Sequence, residues 1–235
     1  MENMAGRRTA RSKMMAQTAL YDRLTGKHIV LRKAREEDCL SMLKHVWGDE
    51  DVYRWMLYQP TFTEAEALDR CRRSIQYQKD HMAWFVALKG TDEAVGLCAI
   101  RETAPGHYEE AGICIGKAFQ GKGYGKEIVS LLLQLIFHEL GAEDCRYGYF
   151  QDNIKSKKIA EHFGFVYDRT EELVRPWDGS LKKIDSCILT RGRFLENLRQ
   201  SGATSAMVHI KRTNGTMLKS NSGTGQTERS QDCHI

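Results

Sequence analysis

The sequence predicts one domain of mixed α/β (α+β) class, and three observations predict it. An apolar run at 113–115 meets a basic, glycine-dense loop at 116–126, and a long apolar-periodic segment follows at 128–140. That order reads as strand, loop, helix. Elsewhere, short β-rich runs are interspersed with segments whose apolar residues recur at helical spacing. The length of 235 residues and a hydrophobic fraction of 41% suffice for one sizeable core.

The elements follow in order. Residues 1–24 hold no sustained period and read as a flexible basic arm; the domain is expected over 25–197. Residues 28–32 (His-Ile-Val-Leu-Arg) form a first strand. Residues 36–47 place Cys39, Met42, Leu43 and Val46 at helical spacing. Residues 51–58 are aromatic-rich without a clean period, so Tyr53, Trp55 and Tyr58 either pack as core or lid or line a pocket. Thr63-Glu64-Ala65-Glu66 is a capping box, which starts a helix running to about Gln78. Strands are expected at 84–88 and 94–100, then a turn at Pro105-Gly106 and a strand over 108–115. After the 128–140 helix, 145–150 reads as a strand. Asn153 caps a helix that Gly164 ends, with Ile159 and Phe163 facing the core. A hairpin of 165–169 with 183–190 closes the domain through a turn at 176–179. Residues 198–235, rich in Ser, Thr, Gly and Asn, read as a disordered polar tail.

Composition narrows the function classes. No stretch approaches the roughly 18 apolar residues of a membrane span, and the basic start lacks the apolar region of a signal peptide. The seven cysteines are scattered, without C-x-x-C or C-x-x-H pairing. Cys39, Cys71, Cys98, Cys114 and Cys187 sit in apolar patterns as small buried thiols do, so a reduced cytoplasmic protein without a metal site is expected. The net charge of +4 resides in the two ends. It therefore gives no case for specific nucleic-acid binding.

The loop at 116–126 carries the chemistry. Gly121, Gly123 and Gly125 let the backbone take positive φ and approach a ligand closely. Unpaired amides at the start of the following helix, with its dipole, form an anion site suited to a pyrophosphate. A dinucleotide fingerprint would need G-x-G-x-x-G, but the spacing here is G-x-G-x-G. A P-loop fits from Gly116 to Lys122, then fails at Gly123, where a magnesium-binding hydroxyl belongs. The pattern that fits is Q-x-x-G-x-G, at Gln120, Gly123 and Gly125.

That pattern, N-x-x-S at Asn153 and Ser156 about 30 residues on, and Phe163-Gly164-Phe165 together resemble the GNAT acetyltransferases. Glu110-Ala111-Gly112-Ile113 and the segment 49–64 are similar to the branch containing the ribosomal-protein N-terminal acetyltransferases RimJ and RimL. The resemblance covers roughly residues 27–195. It implies a GNAT fold: a mixed twisted sheet splayed at the acetyl-CoA strand, with helices on both faces. It implies acetyl-CoA as cosubstrate, with pantetheine on Ile113, Cys114 and Ile115. The pyrophosphate would lie on Gln120, Gly121, Lys122, Gly123, Tyr124, Gly125 and Lys126. Asn153 would bind the pantetheine arm, and Ser156 would donate to the leaving thiolate. Ala160 is a departure, for many members carry a tyrosine acid there. Tyr147 and Tyr149 are substitutes, although strand burial explains both more simply.

Acetyl transfer to an amine also needs a base, since an ammonium is no nucleophile. Glu110 is the expected base: it lies just upstream of the pantetheine strand, where desolvation would raise its pKa. Strand alternation puts only one of Glu109 and Glu110 on the cleft face, and Glu110 could equally be an exposed strand residue. The acceptor is a primary amine, on a protein N-terminus or a small molecule, and Trp177 either touches it or anchors its loop. A monomer or homodimer is expected. The alternatives are a catalytically silent CoA-binding module of the same fold and, less favoured, a P-loop nucleotide binder.

Overall fold

The computed structural model describes residues 21–200. Eight strands form one sheet in the order β1-β2-β3-β4-β5-β6-β8-β7. The strands are β1 (Arg23–Thr25), β2 (Ile29–Arg32), β3 (Ala83–Leu88), β4 (Ala94–Ala104), β5 (His107–Ile115), β6 (Asp144–Phe150), β7 (Val166–Val174) and β8 (Leu181–Thr190). All neighbours pair antiparallel except β5 and β6, which run parallel.

Helices cover both faces. α1 is a continuous run of Glu36–Asp38, Cys39–Met42 and Leu43–Trp47, in turn 3-10, α and π; α2 is the short Glu50–Tyr53. α3 (Glu64–Asp80) starts at the expected capping box: Glu66 N–H donates to Thr63 Oγ1 at 3.3 Å, and Thr63 N–H to Glu66 Oε2 at 3.1 Å. α4 (Tyr124–Gln134) continues into a π turn, Leu135–Glu139. α5 (Ile154–His162) ends where Gly164, at φ 76, donates to Glu161 O while Phe165 donates to Ala160 O. That crossed pair is a Schellman cap, which demands a left-handed residue at Gly164. α6 (Arg191–Gln200) closes the described chain.

Strand alternation splits the apolar residues into two cores. Trp84, Ile100, Ile128, Leu132, Phe137 and Phe194 join one face to α4 and α6. Phe85, Leu97, Met42, Trp47, Ala67 and Cys71 join the other to α1 and α3. Among the described residues no helix is long and apolar enough to cross a membrane.

Three expectations need correction. The fold begins before residue 25: Arg23–Thr25 is a paired edge strand, and Tyr21 and Leu24 are buried. The strand is too short to show a period. The end of the domain extends past 197, because α6 runs to Gln200 with Phe194 buried against Phe137. Of the cysteines, Cys39 and Cys114 are only half-buried, while Cys145 is buried. The arm at 1–20 and the tail at 201–235 lie outside the described residues.

Candidate active site

β5 and β6 are in register from His107↔Asp144 to Glu109↔Arg146, and no pair is made beyond, though the strands continue to Ile115 and Phe150. The splay leaves a strand in mid-sheet half-exposed: every residue from Glu109 to Cys114 is intermediate in burial. The amides and carbonyls of that stretch facing β6 have no strand partner, which makes an internal edge for an extended, amide-bearing ligand. On its other side β5 carries a bulge. Cys98 pairs with Ile113 and Ile100 with Glu110, so Ala111 and Gly112 stand opposite Ala99 alone. Gly112 takes φ 123, a backbone favouring glycine.

Glu110 sits at the apex of the splay. Its carboxylate accepts the Gly112 amide and lies within reach of the Gly148 amide across the gap. Burial pushes its pKa up to about 7; the charge of Glu109 adds to the rise, and the two amides hold it back. Glu109 also lines the cleft, contrary to the simple alternation argument, because the gap opens both sheet faces to one cavity. Glu109 forms a cross-strand pair with Arg101, with Arg101 Nε donating at 2.9 Å.

The glycine loop and α4 form one end of the cleft. Gly121 (φ 79) and Gly123 (φ 85) have nothing within 4 Å of where a Cβ would stand, and Gly123 is the N-cap of α4. Gln120 braces the loop: Nε2 donates to Ile115 O at 3.0 Å, and Oε1 accepts from Lys155 Nζ at 2.7 Å. Opposite, the α5 start is fixed by Asn153, whose Oδ1 accepts the Ser156 amide at 3.2 Å. Ser156 Oγ lies 2.8 Å from the Tyr147 hydroxyl.

One cleft of about 840 Å³ brings these groups together. Its lining includes Glu110, Ile113, Cys114, Ile115, Gln120, Gly121, Gly123, Tyr124, Gly125, Lys126, Asn153 and Ser156. Of the expected site residues only Lys122 is not among the lining; its Nζ stands 5.5 Å over the exposed loop's Phe119 ring. Lys155 and Lys158 line the cleft and were not assigned a role from sequence; Tyr147 and Tyr149, named there only as substitutes for the missing tyrosine acid, line it as well. The fold alone brings α5 and β6 against the loop, and no local pattern signals it.

The lining also takes in Val52, Trp55, Met56 and Leu57 from α2 and the segment after it, and Arg146, Arg169 and Glu171 from β6 and β7. Of the three aromatics left open between core or lid packing and a pocket, only Trp55 lines the cleft. Tyr58 is buried with its hydroxyl donating to Val46 O at 3.3 Å, and Tyr53 packs edge-on against Trp177 at 6.1 Å. Trp177 is a loop anchor: the Arg175 guanidinium lies 4.3 Å over its ring, bonds to Asp178 and donates to Arg54 O at 3.0 Å. The β7–β8 turn is thereby tied to the segment following α2.

The donor set fits acetyl-CoA. The open edge of β5 suits an amide-bearing arm, and the bare glycine amides with Lys126, Lys155 and Lys158 suit phosphates. Residues 28–166 match the family described as Acetyltransferase (GNAT) domain. An uncharacterized N-acetyltransferase, p20, of Bacillus licheniformis is 26% identical over 167 residues, 69% of this chain and 88% of that protein. An acetyltransferase structure from T. thermophilus aligns with TM-score 0.66 at 23% identity, covering 78% of this chain and 97% of the other. RimL, a ribosomal alpha-N-protein acetyltransferase in complex with coenzyme A, aligns at TM-score 0.60 and 15% identity over 72% and 97% of the two chains.

Proposed function

The chain belongs to the GNAT acetyltransferases, enzymes that transfer acetyl from acetyl-CoA to an amine, and from that premise we propose that Glu110 is the base and Ser156 the donor to the leaving sulfur. The acceptor is a primary amine on a protein N-terminus or a small molecule. The residues of segment 49–64 and Glu110-Ala111-Gly112-Ile113 favour the RimJ/RimL-like branch.

The observation that carries this reading is a half-buried carboxylate at the apex of the splay, with its pKa near the working pH. A base of that strength takes the amine proton as the new C–N bond forms and still ionises readily enough to turn over. Acetyl-CoA supplies the electrophilic thioester. The open edge of β5 at Ile113, Cys114 and Ile115 orients its arm, and the α4 amides with Lys126, Lys155 and Lys158 hold its phosphates. Asn153 keeps the α5 start in place and adds a contact to the arm. Ser156 Oγ–H faces the departing sulfur. Gln120, bonded through Nε2 to Ile115 O and through Oε1 to Lys155 Nζ, braces the loop.

The six described cysteines are all unbridged, which supports a reducing, cytoplasmic setting; the oligomeric state proposed is a monomer or homodimer. The test is thiol release from acetyl-CoA against peptides with free N-termini and a panel of small primary amines. Turnover with one class and not the other identifies the acceptor; no turnover with either, despite acetyl-CoA binding, favours the silent CoA-binding module.

A further inference from the structure

Tyr147 is almost fully buried in β6, at 4% exposure, yet its hydroxyl meets Ser156 Oγ at 2.8 Å on the wall of the cleft. The ring is held by Phe165 at 5.5 Å and Tyr149 at 6.3 Å. The serine is held from the other side, its amide on Asn153 Oδ1. Ala160, one helical turn beyond Ser156, is buried and carries no polar atom in its side chain. The Tyr147–Ser156 pair thus puts two bonded hydroxyls on this wall, contributed jointly by a strand and a helix.

A serine hydroxyl has one proton to give. If Ser156 gave it to the tyrosine, nothing would remain for a ligand. A phenol is the more acidic of the two and the better donor, so the favoured arrangement has Tyr147 donating to Ser156 Oγ and Ser156 O–H pointing into the cleft. We infer that Tyr147 is a positioning residue for the leaving sulfur, acting through Ser156: it fixes the serine rotor and polarises its O–H as charge builds on sulfur. The inference rests on the acetyl-transfer reading above.

The balance is simple. The amine nitrogen bonds to the acyl carbon, the C–S bond breaks with its electron pair going to sulfur, and Glu110 takes the amine proton. Both hydroxyls keep their own protons. The groups facing Tyr147 are Glu110 from β5, Tyr149 on its own strand and Cys187 from β8. Burial first, then the Glu110 charge, pushes the Tyr147 pKa well above the usual phenol value. A thiol titrates at about 8.5, far below that. The pair therefore offers hydrogen bonds at every working pH and does not hand over a proton. Two hydroxyls in series strengthen one another, which a single serine cannot do.

The experiment is Tyr147→Phe in the full chain, with Ser156→Ala and the double variant beside it. Tyr147→Phe is expected to lower kcat about tenfold and leave KM for acetyl-CoA within about twofold, the pattern of a contact that gains strength as charge develops. Thiolate absorbance of bound coenzyme A reads the same contact without turnover: the thiol should titrate at higher pH in Tyr147→Phe. The double variant should lose little more than Ser156→Ala alone. Unchanged kcat and thiol titration in Tyr147→Phe, or additive losses in the double variant, would overturn the inference. Should Tyr147→Phe not fold, fluorotyrosine at 147 keeps the shape with a more acidic hydroxyl. It should lower the pH at which the bound thiol titrates, and no shift overturns the inference. A wild-type chain that binds coenzyme A but acetylates no amine removes the acetyl-transfer reading itself, an outcome distinct from failure of the Tyr147 variants.

Discussion

Glu109 and Arg146 face each other as the last in-register pair of β5 and β6, and one residue further the strands have parted. Arg101, Glu109 and Arg146 stand in one cross-strand row on β4, β5 and β6, with Arg101 and Glu109 ion-paired in the lining of the cleft. That row ends the continuous sheet and puts the next residue, Glu110, where the opening begins.

Glu110 should couple activity and stability with opposite signs. Its ionised form is the active one, so kcat/KM should fall as pH drops through about 7, and Glu110→Gln should lose that limb with a drop of about 10²–10⁴ in kcat. For stability, a folded pKa raised above the unfolded value of about 4.3 means the folded state holds the extra proton between those values. Stability from this group is present at low pH and lost as pH rises toward 7. Glu110→Gln should therefore be more stable than the parent at pH 8, by on the order of 2–3 kcal/mol. Denaturant melts of both proteins at pH 5 and pH 8 check this. A purely structural carboxylate would lose stability on substitution.

Gly123 takes φ 85 at the N-cap of α4, with open space around it. Gly123→Ala should cost about 1–2 kcal/mol of stability from backbone strain alone. The new methyl faces the anion site, so affinity for acetyl-CoA should fall by more than that strain explains, about tenfold or greater. Calorimetry beside a thermal melt separates the two effects.

Asn153 has two assigned tasks, and one substitution divides them. Serine caps helices about as well as asparagine, whereas alanine costs about 1 kcal/mol. Asn153→Ser should keep the melting temperature and raise Kd for coenzyme A. Asn153→Ala should lose on both counts. An unchanged Kd in Asn153→Ser would reduce the residue to a helix cap.

Arg175, 6% exposed, ties the β7–β8 turn to Arg54 O and stacks on Trp177. Arg175→Ala should destabilise by about 2–3 kcal/mol, below the full cost of breaking a buried pair because Asp178 is partly solvated. It should raise KM for the acceptor more than for acetyl-CoA, because the turn holds Arg54, next to the cleft-lining Trp55. Lysine should not restore either quantity, since it lacks the planar fork. Steady-state kinetics in both substrates tests this.

The legible parts of the chain were those whose cause is local. The Thr63–Glu66 box, the Asn153 cap, the Gly164 stop and the glycine loop each show a mechanism within a few residues, and each forms where expected. The expected cofactor-binding residues between Ile113 and Lys126, Lys122 apart, line one cleft for the same reason, being near neighbours on one strand, loop and helix start, whereas Asn153 reaches it only through the fold. The Tyr147–Ser156 contact, the ladder of Arg101, Glu109 and Arg146, and the Arg175 tie depend on register and hairpin docking between distant segments, which no window of sequence carries. Arg23–Thr25 was missed because a three-residue edge strand draws its order from β2 rather than from its own pattern.

The most direct test of the central claim is calorimetric titration of the folded chain with acetyl-CoA, with Mg-ATP as control. The account predicts micromolar binding of acetyl-CoA at one site per chain and none of Mg-ATP. A folded sample that binds no acetyl-CoA would contradict it, and would remove with it the roles given to Glu110, Asn153 and Ser156.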